Sequence, residues 1–176
     1  MKTGFVLLLA SMFWGLSQGH YALAGTEEMM KLNQVKAQIR TRFPAVKQLS
    51  TDEYKQITAQ SMAVKPVLLD VREFDEFKVS HLKGAKLSTD IGDALRILRV
   101  SPKTQKIVTY CSVGYRSSAL AKELAERGFS NVFNLEGSIF EWANKGYPVF
   151  RGNERVNKVH PYNSKWGKLL EKKYHP

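Results

Sequence analysis

The chain has 176 residues, 43% hydrophobic and 24% charged, with a formal net charge of +11. That is enough for one core without disulfide staples, and the single cysteine excludes an intrachain disulfide and a cysteine-based zinc site. Aromatics at 11% and only 18 Gly plus Pro exclude disorder and collagen-like repeats.

Met1-Lys2 gives a short positive start, Gly4 through Leu16 is almost wholly apolar, and Ala22-Leu23-Ala24 precedes Gly25. This is the three-part pattern of a secretory signal. It predicts cleavage near Ala24, a mature chain of 152 residues from Gly25, and a periplasmic or secreted location. An uncleaved membrane anchor is the alternative. After residue 24 no apolar run approaches the ~18 residues of a membrane span.

The spacing of Leu32, Val35 and Ile39 predicts a helix from Thr26 to near Phe43-Pro44. Ser50-x-x-Glu53 is a capping box that opens a second helix to about Ala59. Val67 to Asp70 and Ala85 to Leu87 read as strands, followed by a helix with Ile91, Ala94, Leu95 and Leu98. Ile107 to Tyr110 is a strand running into Cys111, and a helix from near Ser117 carries Leu120 and Leu124 to Gly128. Val132 to Leu135 is a further strand, and Ser138 to Asn144 a closing helix. Strands alternating with helices predict an α/β fold, a mostly parallel sheet covered by helices on both faces.

Bases concentrate between Lys31 and Lys47, five with no acid, and from Arg151 onward, seven against Glu154 and Glu171. With no aromatic stacking pattern, zinc finger or helix-turn-helix, these read as solvated basic surface and not as a nucleic-acid interface. The tail after Arg151 is unusually aromatic. Tyr162, Trp166, Leu169 and Leu170 are expected to dock on the domain, against the helix at 27–40, or else to form a partner-binding peptide.

Cys111 stands at the carboxyl end of a strand, where α/β folds place their ligands. In Cys111-Ser112-Val113-Gly114-Tyr115-Arg116-Ser117, a curl at Gly114 turns successive N–H groups inward as an anion cradle. The following helix start and Arg116 both favour thiolate over thiol, which lowers the Cys111 pKa below the free value of about 8.5. A thiolate in such a cradle is a nucleophile with a built-in anion site; the bland alternative is a buried small hydrophobe. His81, His160 and His175 show no ligand spacing, so no metal site and no Cys-His dyad is expected.

From about Leu49 to Phe150 the chain resembles the rhodanese-like sulfurtransferases. The resemblance rests on Leu69-Asp70-Val71-Arg72-Glu73, Glu76-Phe77, His81-Leu82-Lys83-Gly84-Ala85, the Cys111 loop, and Leu135-Glu136-Gly137-Ser138-Ile139-Phe140-Glu141-Trp142. The family often has Gly-His-Ile-Pro-Gly-Ala where this chain has Ser80 through Ala85, and Gly-Gly at Gly137-Ser138. The resemblance divides the chain into a signal at 1–24, a helical extension at 25–48, a three-layer rhodanese-like domain at 49–150 and a basic aromatic extension at 151–176. It implies that the Cys111 thiolate takes a sulfur from a small anionic donor, thiosulfate or polysulfide, and passes it from a persulfide to a thiol, cyanide or protein acceptor. Ser112, Val113, Gly114, Tyr115, Arg116 and Ser117 are the implied substrate-binding residues, Asp70 and Arg72 the implied loop supports, and no cofactor or metal is implied. Phosphatases and arsenate reductases of the same fold carry one residue more between cysteine and arginine. The four residues here, Ser112 to Tyr115, favour a single sulfur atom over a tetrahedral anion. A non-catalytic sulfur carrier or recognition module is the other reading.

Overall fold

A computed structural model describes residues 14–60 and 65–176, with side chains from residue 27 onward. In chain order the elements are α1 (Trp14–Arg42), β1 (Lys47–Leu49), α2 (Thr51–Ala59), β2 (Val67–Asp70), α3 (Phe74–Val79), β3 (Lys86–Leu87), α4 (Ile91–Ile97), β4 (Ile107–Tyr110), α5 (Tyr115–Glu126), β5 (Val132–Leu135), α6 (Ser138–Asn144), β6 (Val149–Arg151) and β7 (Glu154–Val156). Two 3-10 turns, Trp166–Leu169 and Lys172–Tyr174, close the chain.

The first five strands form one parallel sheet in the order β1-β5-β4-β2-β3, so the α/β expectation holds. Alternation along each strand divides the core. Leu69, Val71, Ile107 and Val132 face α4 and α5 with Ala94, Leu98, Leu120 and Leu124. Leu68, Val108, Tyr110 and Leu135 face the other layer, with Leu32 and Ile39 of α1 and Ile139 and Phe140 of α6. The predicted capping box at Ser50 and Glu53 is present in both directions.

Several expectations need correction. The first helix does not begin at Thr26 but runs unbroken from Trp14, because no proline interrupts it and Ala22-Leu23-Ala24 are good helix formers. Residues 1–13, most of the expected signal, lie outside the described residues. α5 begins at Tyr115, two residues before Ser117, because Gly114 at φ +113° turns the chain straight into the helix. The basic run of α1 is not all solvated surface. Lys36 bonds Glu141 at 3.1 Å and Arg40 pairs with Glu136 at 2.7 Å, both bridging α1 to the β5–α6 segment. β1, α3 and the β6–β7 hairpin were not foreseen; β1 has only three residues, too few to show a period. β1 also straddles the expected boundary between residues 48 and 49.

The tail does dock. Val159, Leu169 and Leu170 are buried in one cluster with Leu32 and Ile39 of α1, and Trp166 packs against it. Asn144 of α6 fixes the tail from both sides, donating to the Leu169 carbonyl at 2.8 Å and accepting from the Glu171 N–H at 2.9 Å. Tyr162 departs from the expectation, for it is 43% exposed and stays outside the core.

One buried network joins the strands below the Cys111 loop. Asp70 and Arg72 are both fully buried, paired at 2.6 Å and again at 2.9 Å through Arg72 Nε. The Tyr110 hydroxyl donates to Asp70 and accepts from the Leu82 N–H, and Arg72 also reaches the Ser80 carbonyl at 2.7 Å.

Two outcomes follow. Asp70→Ala strands the Arg72 charge in the core and is expected to cost about 3–5 kcal/mol, read as a lower urea midpoint at unchanged slope. A loss below ~1 kcal/mol would show that the Asp70 carboxylate, with its bonds from Arg72 and from Tyr110 of β4, is not a structural tie. Limited proteolysis is expected to leave the chain intact to beyond Leu170, while Leu170→Asp makes the tail an early cleavage site.

Candidate active site

β2 and β4 are neighbours, yet the chain leaves β2 toward β3 on one side and β4 toward β5 on the other. The crevice between their carboxyl ends is therefore a topological switch point, the usual ligand position in an open parallel sheet. Cys111 follows β4 on one side of it. Glu76 of α3 meets the loop from the other, while Asp70, at the end of β2, and Arg72, just after it, lie fully buried beneath.

The loop after β4 curls because its carbonyls have partners elsewhere. The Cys111 carbonyl accepts from the Ile139 N–H at 3.2 Å and the Ser112 carbonyl from the Phe140 N–H at 3.1 Å, both on the first turn of α6. The Gly114 carbonyl accepts from the N–H and the hydroxyl of Ser118. With the carbonyls drawn outward, N–H groups turn in, and the Gly114 N–H lies 3.1 Å from Cys111 Sγ. The thiol is only 1% exposed. A cavity of about 120 Å³ above it is lined by Cys111, Ser112, Val113, Tyr115, Arg116, Tyr162 and Trp166.

Burial pushes the Cys111 pKa up, but the charge of Arg116 and hydrogen bonds from Ser117 and Gly114 outweigh it and hold the thiol below its ordinary value. The single Ser117 hydroxyl proton has a second acceptor, Asn134 Oδ1 at 2.6 Å. The Arg116 charge and the two backbone N–H groups therefore carry the depression.

Arg116 is not free to grip a donor with its whole fork. Nη1 and Nη2 lie 2.8 and 2.9 Å from the two oxygens of Glu76, and Nη2 also reaches Ser112 Oγ at 3.1 Å. Ser112 in turn donates to Glu76 at 2.9 Å. Burial raises the Glu76 pKa, but Arg116 more than offsets it and keeps the carboxylate charged. Arg116 is thus a fixed cation that braces the loop and polarises the thiol.

The remaining expected residues fall around this centre. Tyr115 is half exposed at the rim, edge-on to Phe43 at 5.3 Å. Val113 packs in the core cluster beneath α1. Ser117 is tied to the sheet through Asn134 and through its carbonyl, which accepts from Thr109 Oγ1 at 2.9 Å. Asp70 and Arg72 touch neither the thiol nor the cavity lining and act through Tyr110, the residue before Cys111.

Four functional residues escaped sequence reasoning as to role. Glu76 stood in a quoted motif without a partner. Ser138 replaces a common family glycine and sits at φ +50°, where its hydroxyl accepts from the Cys111 N–H at 3.1 Å. Tyr162 and Trp166 come from the tail, and no motif relates them to Cys111. His81 is not in a turn: its backbone pairs with Phe150 in an antiparallel bridge, and its ring meets the Leu82 carbonyl and the Gly152 N–H. Among the described residues no group of three or more His, Cys, Asp or Glu is arranged to hold a metal ion.

This arrangement agrees with the comparisons. The rhodanese-like domain family matches residues 50–145. The chain is 33% identical over 88 residues to the probable adenylyltransferase/sulfurtransferase MoeZ of Mycobacterium tuberculosis, covering 48% of this chain and 22% of that protein. It is 25% identical over 137 residues to the putative sulfur carrier protein YrkF of Bacillus subtilis, covering 75% of this chain and 72% of that protein. The chain spans only about a fifth to a quarter of the first curated relatives it matches, 22% and 24% of their length. A thiosulfate sulfurtransferase of Pseudomonas aeruginosa shares the fold, with a TM-score of 0.58 at 18% identity over 79% of this chain and 26% of that one. The parallel sheet, the cysteine loop after β4 and the family match together place this chain in the rhodanese-like domain family.

Proposed function

We propose that the protein is a sulfurtransferase that carries a sulfane sulfur on Cys111 as a persulfide. The observation that supports it most is the buried Cys111 thiol, held toward thiolate with a loop N–H 3.1 Å from its sulfur. In the first step the thiolate attacks the outer sulfur of a donor such as thiosulfate. A new S–S bond forms to Cys111, the donor's own S–S bond breaks, and sulfite leaves with the electron pair. In the second step cyanide or an acceptor thiolate attacks the outer sulfur of the persulfide, and Cys111 departs as thiolate. Cys111 itself carries one negative charge before the step as thiolate and one after it as persulfide, sulfite taking the donor's two charges away, so the same N–H groups serve both forms. No proton needs to be shuttled at Cys111, which fits a site with no histidine in its lining.

Thiosulfate as donor rests on the inward-facing loop N–H groups with the Arg116 charge behind them, and on the small size of the cavity, about 120 Å³. Export rests on the amino-terminal sequence pattern. The carrier reading is supported by the likeness to YrkF over three quarters of this chain; a carrier and an enzyme share the first step and differ in turnover.

Intact mass of the purified protein before and after thiosulfate tests the reading. The expected result is a gain of one sulfur, reversed by dithiothreitol and absent in Cys111→Ser, on a chain beginning at Gly25. Failure to load from thiosulfate or polysulfide would leave a recognition module. Catalytic thiocyanate formation after loading marks the enzyme, and a single stoichiometric release the carrier. The pH profile has a definite sign. Because the Cys111 pKa is lowered, the loading rate is expected to stay high below about pH 8.5 and fall only as pH drops through the depressed value. Arg116→Gln removes the cation, and the midpoint is expected to rise by about one unit or more.

A further inference from the structure

The family match ends at residue 145, yet two of the seven residues lining the Cys111 cavity, Tyr162 and Trp166, lie beyond it. Trp166 packs against the core cluster, but core packing does not account for the placement of Tyr162. The tail is anchored by Val159, Leu169 and Leu170, each 7% exposed or less, and by the two bonds to Asn144. Tyr162 adds little to that anchor, being 43% exposed. It nevertheless adopts φ +65°, a left-handed conformation that a bulky side chain rarely takes. Its N–H bonds His160 Nδ1 at 3.0 Å, and its ring centre lies 4.6 Å from the Arg116 guanidinium carbon. Trp166 is held beside it by Asn163, whose side-chain oxygen accepts from the Trp166 N–H at 3.0 Å. The Tyr162 face thus covers the side of Arg116 that Glu76 leaves open, and a cation–π contact holds it there.

We propose that Tyr162 and Trp166 are specificity-determining residues that wall the Cys111 cavity and restrict it to small sulfur species, inorganic sulfane anions and low-molecular-weight thiols. The cysteine of a folded partner protein is excluded. The cavity is small, about 120 Å³, with Cys111 at its base only 1% exposed, and the wall stands on the one residue whose charge lowers the thiol pKa. What passes through the opening rests on the sulfur-transfer reading; the wall itself does not.

The chain has one cysteine, so alkylation reports on Cys111 alone. The test compares second-order alkylation rates with iodoacetamide and with a bulky fluorescein maleimide, in the full chain and at one pH. Their ratio cancels any change in thiolate fraction. In Tyr162→Ala and Trp166→Ala the maleimide-to-iodoacetamide ratio is expected to rise at least about tenfold, while Tyr162→Phe, which keeps the ring, stays within about twofold of the starting protein. Tyr162→Gly, which also relieves the backbone strain, is expected to behave as Tyr162→Ala, and serves if the alanine variant folds poorly. An unchanged ratio in all variants, or equal acceleration of both reagents, overturns the proposal. If the ratio rises but thiosulfate adds no sulfur to any form, the wall stands and the sulfur-transfer reading fails.

Discussion

A loop that turns several N–H groups toward one sulfur atom must send its carbonyls elsewhere, and the rest of this structure depends on where they go. Here two of them end on the N–H groups that open α6, at Ile139 and Phe140. Those N–H groups have no partner within their own helix, so the match satisfies two sets of orphaned backbone groups at once. Ser138 completes it, accepting from the Cys111 N–H and donating to the Leu135 carbonyl at the end of β5. The cradle therefore belongs to α6 as much as to the loop. Gly137, which admits the chain to that helix at φ +70°, has no room for a side chain, since a Cβ there would collide with the Glu141 side chain, its Cβ at 2.6 Å included.

Charge at the site is arranged with similar economy. A lone arginine beside a thiolate would hold it strongly but would also be mobile and open to any anion. Pairing Arg116 with the buried Glu76 carboxylate fixes the guanidinium in place and lowers its net pull. The thiol still feels enough of that charge, with the N–H groups, to favour the thiolate against its own burial. An anion at the cavity would meet a cradle of fixed dipoles more than a free cation. Under the proposed reaction, in which Cys111 is singly negative both as thiolate and as persulfide, the same fixed dipoles serve both.

The residues that were legible in sequence are those whose signal is local. The strand run at Ile107–Tyr110, the glycine at 114 and the capping box at Ser50 each announce themselves within a few residues, and each is where it was expected. Cys111 was legible for the same reason, since strand, glycine, arginine and helix follow it without a break. Glu76 was not, because its partner lies 40 residues away and only the β2–β4 register brings them together. The fork of Arg116 was accordingly assigned to substrate when a carboxylate already holds it. Ser138 was legible only as a departure from the family's second glycine, because it stands outside the loop in sequence, while in space its hydroxyl accepts from the Cys111 N–H. Three-residue β1 carries no period and could not be placed from sequence alone; the docking of the tail was expected, but nothing local related Tyr162 and Trp166 to Cys111.

The two extensions flanking the matched domain find their purpose in α6. Residues Ser138 to Ala143 are all buried, but a seven-residue helix on the face of a sheet cannot bury every side by itself. α1 covers one flank with Leu32 and Ile39 and ties Lys36 to Glu141, and the tail covers another through Leu169, Leu170 and the Asn144 bonds. Since α6 holds the carbonyls of Cys111 and Ser112, whatever steadies α6 steadies the cradle. Stripping either extension exposes apolar surface on the one helix the loop leans on, so the site should loosen before the sheet does. That ordering makes the extensions part of the active site's support as well as, in the tail's case, part of its wall.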